Sequence, residues 1–130
     1  MPDDPAAPAR HYLAGLDLTG RKAVIVGGGN VAHRRLPNLV AAGADVHVIA
    51  LDPTPSVASF PQITLHHRAY ADGDLDGAWY VLACTDDPAV NAAVAAEADR
   101  RHTFCVRADD ARLGTAVTPA SDRHHGGYGD

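Results

Sequence analysis

Basic residues, aromatics, cysteines and long apolar runs are all scarce in this chain, and each shortage closes off a class of function. Lysine and arginine together number 11 against 16 acids, a formal net charge of −5, so no basic stripe is left to track a nucleic-acid backbone. No apolar run approaches the ~18 residues that a membrane-spanning helix requires. The stretch from Met1 to Arg10 has no cationic region leading into an apolar one, which is not the pattern of a secretory signal. Only two cysteines are present, Cys84 and Cys105, both in apolar strand-like runs. They read as buried thiols of a cytoplasmic protein rather than as a disulfide framework. Aromatics are 5% of the residues while 46% are hydrophobic, so the core must be mostly Ala and Val, packed closely as helices laid on a sheet. A length of 130 residues suits one domain and excludes separate cofactor and substrate lobes.

What is present alternates between strand and helix patterns. The β-branched run from Lys22 to Val26 stops at three glycines and predicts a buried strand ending in a tight turn. Asn30 to Ala42 predicts a helix: Val31, Leu36, Leu39 and Val40 recur along it, Gly43 closes it, and Pro37 is expected to kink it or loosen its first half. Further strands are expected at 46–50, 63–65, 79–83 and 104–106, with a candidate sixth at 115–117. Residues 52–61 read as a Pro-rich connection and 72–77 as a turn. Asp87 before Pro88 has the pattern of an N-cap followed by a first-position proline, opening a helix to about Arg101 with Val90, Val94 and Ala98 inward. This alternation implies an α/β fold, a Rossmann-type doubly wound parallel sheet of five or six strands in a single domain. The domain is expected over residues 12–120, between a mobile leader (1–11) and an unstructured Gly/His/Asp-rich tail (121–130).

The turn Gly27-Gly28-Gly29-Asn30-Val31-Ala32 fits G-x-G-x-x-A between a strand and a helix. Gly27 permits the sharp turn, Gly29 lets backbone approach a pyrophosphate, and Ala32 lets helix and strand pack closely, with the phosphates on the free N–H groups of the helix start. The pattern alone also occurs as a glycine turn without a cofactor; its strand–turn–helix context, with a second strand ~20 residues on, points to a dinucleotide. The acidic residue that usually meets the ribose 2′-hydroxyl is replaced by Ala50; Asp45 lies at the wrong end of the strand, and Asp52 comes two residues late. No arginine stands nearby to receive a 2′-phosphate, which favours NAD over NADP.

With these pieces in place, the sequence resembles the precorrin-2 dehydrogenase (siroheme synthase N-terminal) family. The likeness runs from Tyr12 to Ala120. It is carried by Tyr12-Leu13 with Leu16-Asp17-Leu18, by the glycine turn continued through His33-Arg34-Arg35, and by Ala41-Ala42-Gly43-Ala44. Asp74-Leu75-Asp76-Gly77-Ala78, Ala83-Cys84-Thr85-Asp86-Asp87 with Val90-Asn91, Phe104-Cys105 before Asp109-Asp110, and Pro119 complete it. The resemblance implies NAD-dependent oxidation of precorrin-2 to sirohydrochlorin, with iron insertion in some members. It implies cofactor contacts by Asn30, Val31, Leu51 and Asp52 beside the glycines, and an acid–base aspartate at Asp109. It also implies a tetrapyrrole substrate, and either a homodimer or association with a uroporphyrinogen methyltransferase. The family's C-terminal strand and helical region, which supply dimer contacts and part of the substrate cleft, have no counterpart in the tail. An NAD-binding module without its own catalysis, completed by a partner, is therefore the alternative.

Asp109 follows the fifth strand on the carboxyl edge of the sheet, where doubly wound folds bind ligands. It could serve as a base, and Asp110 beside it is expected to raise one of the two pKa values by repulsion. An Asp-Asp turn with no chemistry is the simpler reading of those two residues by themselves. Thr85 is placed on the nicotinamide side and Asp87 at a helix cap. Arg34, Arg35 and Arg107 are candidate partners for substrate carboxylates, and Arg107, inside a nominally buried strand, must reach solvent or find an acid. The pairs His66-His67 and His124-His125 lack metal-ligand spacing, so no metal site is expected.

Overall fold

A computed structural model describes residues 10–118. Five parallel strands form one sheet in the order β3-β2-β1-β4-β5. They are β1 (Lys22–Val26), β2 (Asp45–Ala50), β3 (Thr64–His67), β4 (Tyr80–Ala83) and β5 (Phe104–Arg107). Helices α1 (Asn30–Ala41), α2 (Pro55–Ala58) and α3 (Pro88–Arg100) and a 3₁₀ turn at Ala111–Leu113 connect or follow them. This is the doubly wound arrangement that the alternating pattern predicts, and no helix among the described residues is long and apolar enough to cross a membrane. The expected leader, apart from its last two residues, and the tail lie outside the described residues.

β1 sits centrally and is buried on both faces, which explains its unbroken apolar run. Ile25 points toward α1, where it packs with Ala32, Leu36, Val48 and Leu82. Val24 and Val26 point the other way, toward Val81, Val94, Ala98 and Cys105. The small side chains of Ala32, Ala50, Ala83 and Ala98 let helices lie close on the sheet, as the scarcity of aromatics requires.

Four details differ from the sequence reading. The candidate sixth strand is a single parallel bridge, Val106 to Ala116, so the sheet has five strands among the described residues. The Pro-rich connection contains α2, whose N-cap Thr54 accepts a hydrogen bond from the Val57 N–H with Pro55 at the first turn. The third strand lies slightly later than expected, at Thr64–His67. Pro37 sits on the exposed side of an α1 that continues unbroken past it. Gly43 does close α1, with φ at +80° and its N–H on the Val40 carbonyl.

Between β3 and β4 the crossover is the 72–77 turn rather than a helix. Two contacts hold it against the sheet. Leu75 is completely buried in the α3-side core. Glu97 of α3, 1% exposed, accepts hydrogen bonds from the Tyr70 hydroxyl, the Leu75 N–H at 3.3 Å and Arg101 Nε at 2.7 Å. Burial alone would raise the Glu97 pKa, but the bonds from Tyr70 and Arg101 and from the turn's backbone outweigh it and hold the carboxyl below the usual glutamate range. A depressed folded pKa gives stability that is present above the unfolded pKa and lost as pH falls through the folded one. Glu97→Gln is expected to cost about 2 kcal/mol in urea denaturation at neutral pH. Its gap from the wild type should narrow as the medium is acidified below the ordinary glutamate range.

Candidate functional site

The carboxyl ends of β1, β2, β4 and β5 open into one cleft of about 880 Å³. It lies at the point where the strand order reverses between β1 and β4, the position at which open α/β sheets bind ligands. Gly27, Gly28, Gly29, Asn30, Val31, Leu51, Asp52, Thr85 and Asp109, singled out from sequence, all line it.

The three glycines are there for three different reasons. Gly27 has φ at +129°, and a Cβ on it would stand 2.7 Å from the Cys84 carbonyl oxygen. At Gly28 a Cβ would stand 2.7 Å from Ala50 Cβ and 2.8 Å from Pro53 Cα. The Gly28 carbonyl also accepts the Thr54 N–H at 2.9 Å, tying the turn to the loop after β2. Gly29 needs neither a special φ nor packing space: it is the N-cap of α1 at φ −99°, and a Cβ there would meet no protein atom within 4 Å. Its missing side chain leaves open space above the first turn of α1.

That turn differs from the other helix starts among the described residues. Thr54 caps α2, Asp87 caps α3 through the Ala89 N–H at 2.9 Å, and Asp110 caps the 3₁₀ turn through the Arg112 N–H at 3.0 Å. α1 has no side-chain cap. Its first N–H groups and the positive end of its dipole therefore face the cleft, an arrangement that suits a phosphate. The Gly28–Ala50 contact also puts a buried alanine where the fingerprint usually carries an acid, while Leu51 and Asp52 stand exposed at the rim.

The other wall comes from the loops after β4 and β5. Thr85 is held by Asn91 and in turn fixes the Asp87 backbone. Arg107, the buried strand arginine, finds its acid in Asp109: Nη2 donates to Oδ2 at 2.7 Å and Nε to Oδ1 at 3.1 Å. This bidentate pair is the main reason the Asp109 carboxyl lies below the usual aspartate range. The expected raising of one pKa by repulsion between Asp109 and Asp110 is outweighed, because Asp110 is likewise paired with and lowered by Arg112 at 2.9 Å. Burial pushes the thiol of Cys84, on the cleft floor, up to about 12 and that of Cys105 up to about 11, so both stay protonated at neutral pH.

Arg34 and Arg35 do not line the cleft, and Arg107 reaches it only through Asp109. Its lining includes Asp52, Asp86, Asp87 and Asp109 but no lysine or arginine. His33 packs edge-on against Phe60, and His66 stacks on His47 with their ring nitrogens 3.0 Å apart, on the β2–β3 side of the sheet. No group of three or more His, Cys, Asp or Glu among the described residues could hold a metal ion. Asn91 and Tyr70 were not anticipated at the site. The sequence signals for Asn91 are its place in the Val90-Asn91 stretch of the family resemblance and an amide residue near the start of an alanine-rich helix.

Residues 14–120 match the profile of a family described as "Putative NAD(P)-binding". The chain belongs to that NAD(P)-binding family. Its relatives agree with the resemblance read from the sequence. Siroheme synthase 2 of Klebsiella pneumoniae subsp. pneumoniae is 38% identical over 106 residues, 79% of this chain and 23% of the relative. The siroheme synthase of Chromobacterium violaceum is 39% identical over 108 residues, 81% of this chain and 23% of the relative. Among solved structures, SirC, a precorrin-2 dehydrogenase, superposes with a TM-score of 0.59 at 30% identity, covering 62% of this chain and 42% of that one. The chain spans about a quarter of the length of the siroheme synthases it matches.

In this NAD(P)-binding domain the glycines should separate by substitution. Gly27→Ala is expected to cost more than about 2 kcal/mol, from strain at positive φ and overlap with backbone. Gly29→Ala should stay within about 1 kcal/mol of the wild type. Thermal denaturation of the two variants checks both values.

Proposed function

We propose that the cleft binds NAD, with its pyrophosphate on the uncapped N-terminus of α1, and that the domain serves the oxidation of precorrin-2 to sirohydrochlorin. The observation that carries the cofactor assignment is the pairing of that uncapped helix start with the open space at Gly29. Asn30 and Val31 offer N–H groups to the phosphates. Leu51 and Asp52 flank the adenosine ribose, and the carboxylate of Asp52 disfavours a 2′-phosphate there, so NAD is preferred to NADP. Bound in this way, NAD supplies a two-electron hydride acceptor.

Asp109 is assigned the proton-transfer role. Arg107 holds it in place and keeps it ionised, so it is a carboxylate ready to accept a proton across the neutral range. The cleft presents four aspartates and no lysine or arginine, whereas the substrate is rich in carboxylates. That mismatch favours a second reading, in which the domain holds NAD and a partner surface, from a second copy or an associated methyltransferase, receives the tetrapyrrole. A cytoplasmic setting follows from the same assignment.

Calorimetry with NAD tests the cofactor: binding is expected, and Gly29→Ala should fold normally yet bind at least about tenfold more weakly, because a methyl group fills the phosphate space. Absence of NAD binding by the wild type rejects both readings. The absorbance of NADH on mixing with NAD and precorrin-2 tests the reaction. Turnover that disappears in Asp109→Asn supports the dehydrogenase; NAD binding without turnover supports the module; full turnover by Asp109→Asn removes Asp109 from the mechanism. Where turnover is seen, its acid limb should lie below the ordinary aspartate range. Arg107→Gln, which removes the cause of the low Asp109 pKa, should move that limb upward in pH.

A further inference from the structure

Asn91 is the fourth residue of α3 and is completely buried. Asparagine is a poorer helix former than alanine by roughly 0.5 kcal/mol, so its place in this alanine-rich helix needs a side-chain reason. The structure supplies one. Its Oδ1 accepts from the Thr85 N–H at 3.0 Å and from the Thr85 hydroxyl at 2.8 Å, and its Nδ2 donates to the Thr85 carbonyl at 3.0 Å. A single side chain thus holds every polar group of Thr85.

These bonds all serve one side of the cleft. The glycine turn and the loop after β2 are tied to each other through Gly28 and Thr54. Thr85 stands across the strand-order reversal, after β4, with Asp109 beyond it after β5. We propose that Asn91 is a positioning residue for the nicotinamide half of the site: it fixes Thr85, while the adenosine diphosphate half is held without it. This rests on the NAD reading given above and adds to it the residue that orients the reactive end.

The test compares NAD with ADP-ribose, which lacks only the nicotinamide, by calorimetry on the whole chain, with thermal denaturation alongside. Asn91→Ala is expected to weaken NAD by about tenfold, as the loss of buried hydrogen bonds would, and to leave ADP-ribose within about twofold. Thr85→Val keeps the two backbone bonds to Asn91 and removes the hydroxyl, so it should lose about threefold for NAD alone. If Asn91→Ala does not fold, the selective loss in Thr85→Val carries the test. A general structural role lowers both affinities together, so equal losses for the two ligands overturn the proposal, as does unchanged NAD affinity in either variant. A wild type that binds neither ligand overturns the NAD reading itself, and with it this inference. A wild type that binds both, with variants that do not discriminate, overturns the inference alone.

Discussion

The first two residues of the β1–α1 turn have room for backbone and nothing else. A Cβ on Gly27 would overlap the Cys84 carbonyl, and one on Gly28 would overlap Ala50 and Pro53. The ends of three neighbouring strands, β2, β1 and β4, can converge there only because those two residues have no side chains. Convergence sets the spacing of the loops, and the loops are the walls of the cleft. It also explains the alanine at the end of β2: Ala50 is buried against the glycine turn, so any acid that meets a ribose must come from the exposed loop beyond it, where Asp52 stands.

The two walls are built on different principles. On the α1 side the groups that would meet a phosphate are left unpaired by the fold, since Gly29 provides no cap and no side chain over the helix start. On the α3 side nearly every polar group is engaged: Asp87 in a cap, Thr85 with Asn91, Asp109 with Arg107. An open anion-binding end opposite a rigid hydrogen-bonded end suits a ligand gripped by its phosphates and oriented at its far ring. The carboxylates along the cleft place any carboxylate-rich substrate at its mouth or against another surface, which is consistent with a domain spanning about a quarter of its siroheme synthase relatives.

Much of this could be read from the residues. β1, α1 and α3 were legible because an apolar run, a glycine stop and an Asp-Pro start are local signals that packing had no reason to override. α2 was not, because its prolines look like a loop when Thr54 is not recognised as a cap. The requirement that buried Arg107 find an acid was visible, but not that the acid would be Asp109; that pairing, with Arg112 on Asp110, left both carboxyls lowered instead of one raised. Glu97 and Asn91 were hidden for the same reason. A polar residue in a helix ordinarily faces water, and only the docking of the 72–77 turn and the Thr85 loop turns these two inward.

The central claim is that the first turn of α1 receives the dinucleotide's phosphates. An amide NMR titration with NAD tests it at the atoms concerned. The account predicts the largest shifts at the N–H groups of Gly29, Asn30 and Val31, with smaller ones at Thr85 on the opposite wall. Saturable binding whose shifts centre elsewhere, on the His47–His66 face for example, with the α1 start unmoved, would contradict it.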